Sequence, residues 1–151
     1  MPLWGEDAWD HARWGLMGGE LPGAADWFQI VHDSAETDIL SLIEFLQEDV
    51  LLAGTGSGGF ILKSTDAAAT WTTSYDSPQA RINDFEVFLD SVYAGTGAGG
   101  LIYASVDATT WTLAYDSPDT DIHTLKRFGD HLYAAGSRGV IYRSVDGPTW
   151  T

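Results

Sequence analysis

Carboxylates are the most abundant chemistry-bearing groups in this chain, with 22 Asp and Glu against seven Lys and Arg and a formal net charge of −15 over 151 residues. Two carboxylates flanking a glycosidic bond can hydrolyse it, one as acid and the other as nucleophile or base. So many are present here that spacing singles out no pair. The four histidines, at 11, 32, 123 and 131, are scattered without metal-ligand spacing. No metal and no cofactor are expected. Cysteine is absent, so there is neither a disulfide framework nor thiolate chemistry, and the compartment is left open. The charge opposes nucleic-acid binding, which draws its affinity from cationic contacts to phosphates. It favours solubility and leaves room for a cation or a basic partner. Two glycine runs, Gly54-Thr55-Gly56-Ser57-Gly58-Gly59 and Gly95-Thr96-Gly97-Ala98-Gly99-Gly100, have the look of phosphate loops. A dinucleotide fingerprint, however, needs a helix directly after the glycines, with its N-terminus on the phosphate. A strand-like stretch follows both runs, so they read as hairpin turns with positive-φ glycines. No catalytic residue is assigned.

The elements that carry these groups recur. Ala-Gly stands at 53–54, 94–95 and 135–136, in steps of 41 and 41, and a closing Trp stands at 71, 111 and 150, in steps of 40 and 39. A fixed period near 40 marks a repeat architecture. Each unit has a Trp-led strand ending in Asp-Ser, then Ile-x-x-(Leu/Phe)-x-x-Phe, then a Val-Tyr-Ala-Gly-like strand, a Gly-rich hairpin and a fourth strand. The middle segment (Ile39, Leu42, Phe45; Ile82, Phe85, Phe88; Ile122, Leu125, Phe128) has a helix-like spacing of three. It is nevertheless read as strand, because each copy is about eight residues long and another strand follows at once. Four short strands per unit of about 40 residues make a β-propeller blade. The expected fold is all-β: a propeller of four-stranded blades, three per chain, at about 38–75, 81–115 and 121–151, with residues 27–33 as an outer strand lacking a blade of its own.

Between the last two strands of each blade lies Ser-x-Asp…Thr-Trp, as Ser64, Asp66 and Trp71, then Ser105, Asp107 and Trp111, then Ser144, Asp146 and Trp150. This resembles the Asp-box, or BNR repeat, of β-propeller proteins, with the pattern Ser-x-Asp-x-Gly-x-Thr-Trp, and the resemblance covers residues 27–151. The first copy keeps the spacing but has Ala68 at the glycine position. The others are one residue shorter, and only the third has a glycine, Gly147. Ser and Asp side chains can bond turn N–H groups that lack a strand partner, with the Trp closing over the turn and packing into the blade. The resemblance implies that these residues are structural. The family includes sialidases and other glycosidases, sorting receptors, photosystem assembly factors, and bacterial and viral surface proteins. A sialidase-like site would need an arginine triad, a Tyr with a Glu partner and an acid Asp. None of these maps onto Arg13, Arg81, Arg127, Arg138 or Arg143 and their surroundings.

Residues 1–26 fall outside the repeat. Trp4, Trp9 and Trp14 recur at intervals of five, which matches neither the helix nor the strand period, and Gly15, Gly18, Gly19, Pro22 and Gly23 argue for irregular chain. With Trp27 they are candidate anchors for a protein partner, since aromatic side chains dominate interfaces. Three blades do not close a ring, which takes four to eight. The expected closure is a homodimer of six blades in which residues 27–33 of one copy complete the third blade of the other. The apolar runs are too short to span a bilayer. MPLWGEDAWD has neither the basic start nor the apolar core of a signal peptide, while the family resembled mostly faces the outside. A virion protein, released by lysis, fits both. The chain is therefore expected to be a non-enzymatic structural or binding module that self-associates, docks through its N-terminal arm and belongs to a phage tail or capsid or to the cell exterior. The alternatives are a glycan-binding, lectin-like propeller and a sialidase-like glycosidase.

Overall fold

Antiparallel pairing of sequence neighbours builds every sheet in the computed structural model, which describes residues 32, 33 and 35–151. Sheet 1 consists of β1 (Ile39–Phe45), β2 (Val50–Thr55), β3 (Phe60–Ser64) and β4 (Thr72–Asp76), side by side in that order. Sheet 2 repeats the arrangement with β5 (Arg81–Phe88), β6 (Ser91–Gly97), β7 (Leu101–Ser105) and β8 (Thr112–Asp116). Sheet 3 contains β9 (Ile122–Phe128), β10 (His131–Gly136) and β11 (Ile141–Ser144). Beyond β11 the chain pairs back: Trp150 bridges Ser144, and Thr151 exchanges two 2.9 Å backbone hydrogen bonds with Arg143. Thr72 and Thr112 take the same place opposite Lys63 and Ala104. Among the described residues there is no helix long and apolar enough to cross a membrane.

A bulge explains why a spacing of three lies on a strand. In β5 the register slips between Ile82 and Asp84, and in β1 between Ile39 and Ser41. One extra residue flips the alternation, so Ile82 and Phe85 share one face of sheet 2 while Phe88 points from the other. Ile82 and Phe85 accordingly pack with Phe45 and Ile61 of sheet 1, whereas Phe88 packs with Ile122 and Leu125 of sheet 3. The core is therefore two seams between three stacked sheets. β1 lies against β5, and β5 and β6 against β9.

Register also corrects the alignment of the third unit. Gly54 pairs with Ser41 and Gly95 with Asp84, but the partner of Thr124 at the matching place is Ala135. Ala134-Ala135, not Ala135-Gly136, is thus the counterpart of Ala53-Gly54 and Ala94-Gly95. Gly54 and Gly95 are strand residues kept bare for the next sheet, since an added Cβ would lie 2.7 Å from Ile82 Cγ2 or Ile122 Cγ2. In the two glycine runs the left-handed glycines are only Gly58, Gly59 and Gly100. Gly59 and Gly100 press against the backbone that leads to the next sheet, at the carbonyl oxygens of Gln79 and Asp119. The expected positive-φ turn therefore holds for part of each run, while Gly54 and Thr55 end β2 and Gly95, Thr96 and Gly97 end β6.

Residues 1–26 and 27–31, which include Trp4, Trp9, Trp14 and Trp27, lie outside the described residues. His32 and Asp33, at the end of the expected outer strand, are not in a strand. The His32 ring stands 5.6 Å from that of Trp71.

Candidate functional site

The three Ser-x-Asp hairpins form one structure three times. Ser64, Ser105 and Ser144 are buried, and each donates its hydroxyl to Oδ1 of the Asp two residues on, at 2.9, 3.0 and 3.1 Å. That oxygen in turn accepts the backbone N–H of Thr70, Thr110 or Thr149 at 2.8, 2.6 and 2.8 Å. Oxygens receiving this many donors favour the ionised state. The Thr70 hydroxyl and N–H hold Asp66 below the usual carboxylate range; the N–H groups of Thr110 and Thr109 do so for Asp107, and that of Thr149 for Asp146. Each carboxylate braces its turn in the ionised state.

The tryptophans reach further than their own turns. Trp111 stacks on Tyr75 of β4 at 6.2 Å, and Trp150 on Tyr115 of β8 at 5.5 Å. Each ring therefore wedges against the outer strand of the preceding sheet, where a Tyr waits in the same position. Trp111 Nε1 donates to Ser74 Oγ at 3.0 Å, and that hydroxyl donates to Ala108 O at 2.7 Å. At the second seam Ala114 replaces Ser74, and Trp150 Nε1 is buried without an acceptor.

Inner strands add a polar seam that single-copy reading missed. Asp84 Oδ2 accepts from Thr124 Oγ1 and Leu125 N at 2.8 and 2.9 Å, and Glu86 Oε2 from Lys126 Nζ and Arg127 N at 2.7 and 3.1 Å. Two acids of sheet 2 thus cap free N–H groups along the edge of sheet 3. The matching residues of β1 are Ser41 and Ile43, so only a column-by-column comparison of the three copies reveals the pair. A second missed carboxylate is Asp119, whose side chain is wholly buried with Arg138 Nε 3.8 Å away. Arg138 also donates to Pro118 O at 3.3 Å. Gly136 lacks a side chain where Asp119 needs the room, since an added Cβ would lie 1.8 Å from Oδ2. Among the described residues no group of three or more His, Asp or Glu could hold a metal ion. Of the arginines, Arg81 pairs with Asp121 at 3.1 Å and Arg138 with Asp119, so these two brace loops between sheets.

The largest anomaly is at the two outer faces. Phe45 and Phe88 are 0% and 1% exposed, and Ile61 and Ile102 both 0%, because the next sheet covers them. Their counterparts on sheet 3, Phe128 and Ile141, are 76% and 69% exposed. At the other end Ile39 and Leu42 are 43% and 62% exposed, where Ile82, Ile122, Phe85 and Leu125 are buried.

Solved structures with the same arrangement decide the architecture. YCF48 bound to a D1 peptide matches with a TM-score of 0.60 at 16% identity over 75% of this chain and 40% of its own. The extracellular domain of the putative one component system BT4673 from B. thetaiotaomicron gives 0.59 at 15% over 75% of this chain and 16% of its own. A nidogen/laminin complex gives 0.58 at 15% over 75% and 46%. The fold is a partial β-propeller. Its three blades span less than half the length of each of these three chains. No family model and no curated protein matches the sequence. Named by fold, sheets 1 to 3 are blades 1 to 3, the Ser-x-Asp hairpins are the rim turns between the third and fourth strands, the second and third of them send a Trp against the preceding blade, and the open faces among the described residues are those of blades 1 and 3.

Proposed function

We propose that this chain is a non-enzymatic binding module of the Asp-box (BNR-repeat) propeller type, which works by joining proteins through its blade faces. The observation that carries the reading is the pair Phe128 and Ile141, left exposed on blade 3 where their counterparts are core. An apolar patch of this kind marks an interaction surface. Two copies sharing such faces make six blades, within the range that closes a ring. The tryptophans of residues 1–26 attach the ring to a larger assembly, which we place in a phage tail or capsid. In each rim turn Oδ1 of Asp66, Asp107 or Asp146 is taken up by a Ser hydroxyl and a Thr backbone N–H of the same hairpin, which supports a structural role for the three.

Native mass by light scattering over a range of concentrations is the direct test. A stable species of two chains is expected, and a single folded chain at every concentration overturns the self-association reading. Turnover of a fluorogenic glycoside that is lost on substituting one Asp or Glu would replace it with the glycosidase reading, and specific capture on a glycan array with the lectin-like one.

A further inference from the structure

We infer that the open face of blade 3 is the seat for the open face of blade 1 of a second copy, head to tail. The inference rests on the self-association proposed above and adds the orientation and the residues.

Inside the chain every seam joins the rear of one blade to the front of the next. The rear supplies the Phe and Ile of Phe45 and Ile61, or of Phe88 and Ile102; the front supplies Ile82 and Phe85, or Ile122 and Leu125. All eight are at most 5% exposed. Left over are one rear, Phe128 and Ile141, and one front, Ile39 and Leu42. These are the two complementary halves of an interface the chain already builds twice. Among the described residues a rear never meets a rear. A hollow of about 370 Å³ lined by Lys126, Phe128, Tyr133, Ala135 and Ile141 marks the empty seat.

At the seam of blades 2 and 3 the rear residue Glu86 takes hydrogen bonds from Lys126 Nζ and Arg127 N of the front strand. The matching front residues of blade 1 are Ile43 and Glu44, so the open joint does not repeat that ion pair and rests on its apolar residues. Unlike faces make a heterologous interface, which closes only if rotation brings the last face back to the first.

Two variants of the full chain test this, each at an exposed side chain and each checked for fold by circular dichroism. Phe128→Asp damages the rear and Leu42→Asp the front. Each alone is expected to weaken self-association at least about tenfold. Their equimolar mixture is expected to recover a one-to-one complex, because the intact rear of one variant receives the intact front of the other. If Leu42→Asp does not fold, Ile39→Asp replaces it as the front variant. Like-face pairing gives a different pattern: one variant stays dimeric (Leu42→Asp for rear-to-rear, Phe128→Asp for front-to-front) and mixing adds nothing, which overturns the head-to-tail inference while self-association survives. A wild-type chain that is monomeric throughout overturns both.

Discussion

A glycine stands at 147 and an alanine at the matching position 108, and what each meets on the preceding blade accounts for the difference. Gly147 has φ 90°, and an added Cβ would lie 1.8 Å from Tyr93 Oη. Ala108, at φ 51°, shares its core cluster with Leu52, which occupies the sheet position of Tyr93 and has no hydroxyl to collide with. Gly147→Ala is therefore expected to cost roughly 1–3 kcal/mol in chemical denaturation. Adding Tyr93→Leu is expected to return part of that loss, a coupling that a double-mutant cycle reads directly. Equal losses with and without Tyr93→Leu would show that backbone strain alone is responsible. The rim carboxylates set the pH dependence. Asp66, Asp107 and Asp146 are held below the usual carboxylate range in the folded chain, so the unfolded chain binds protons first as pH falls. Their contribution is complete above about pH 4, the unfolded carboxylate value, and is lost as pH drops through the lower folded values. Thermal midpoints measured from pH 7 to pH 2 should fall below about pH 4, and Asp107→Asn should flatten that fall while lowering the midpoint at pH 7.

Among elements, the inner strands show how a local pattern misleads and where the correction lies. Ile82, Phe85 and Phe88 are spaced as on a helix, yet the first pair shares a face through a bulge and the third points into the next seam. The unit was legible as strand because too few residues separate it from the next one to hold a helix. The bulge was not legible, since it depends on which residues of β6 lie opposite. Asp84 and Glu86 were hidden for a related reason: their partners, Thr124 to Arg127, are about 40 residues away, as for the 40-residue separation of Asp84 and Thr124. Asp84→Ala strips the partner from Leu125 N on the inner edge, and about 1 kcal/mol of stability should go with it. Amide exchange at Leu125 is expected to rise more than at Leu132 in the neighbouring strand. Uniform acceleration across blade 3 would instead mean that the acid supports the whole seam.

At the scale of the molecule, Ala135 tunes how closely a fourth sheet can approach blade 3. It carries a methyl where Gly54 and Gly95 leave the next blade's isoleucine room. Ala135→Gly should therefore deepen the seat and tighten self-association by about threefold to fivefold, within the roughly 1 kcal/mol of a single methyl group; sedimentation equilibrium checks this, and a weaker dimer would place the contact elsewhere. The sequence by itself determined the repeat, the all-β class and the position of each Ser-x-Asp turn. Those follow from period, strand propensity and side chains that bond backbone within a few residues, all of which act locally. Only the tertiary structure decided that Trp111 and Trp150 wedge the preceding blade, that Gly95 aligns with Ala135, and that Phe128 and Ile141 stand bare. Each of those depends on what a neighbouring sheet brings to the face. Burial is set by the partner surface, and a single chain does not spell out its partner.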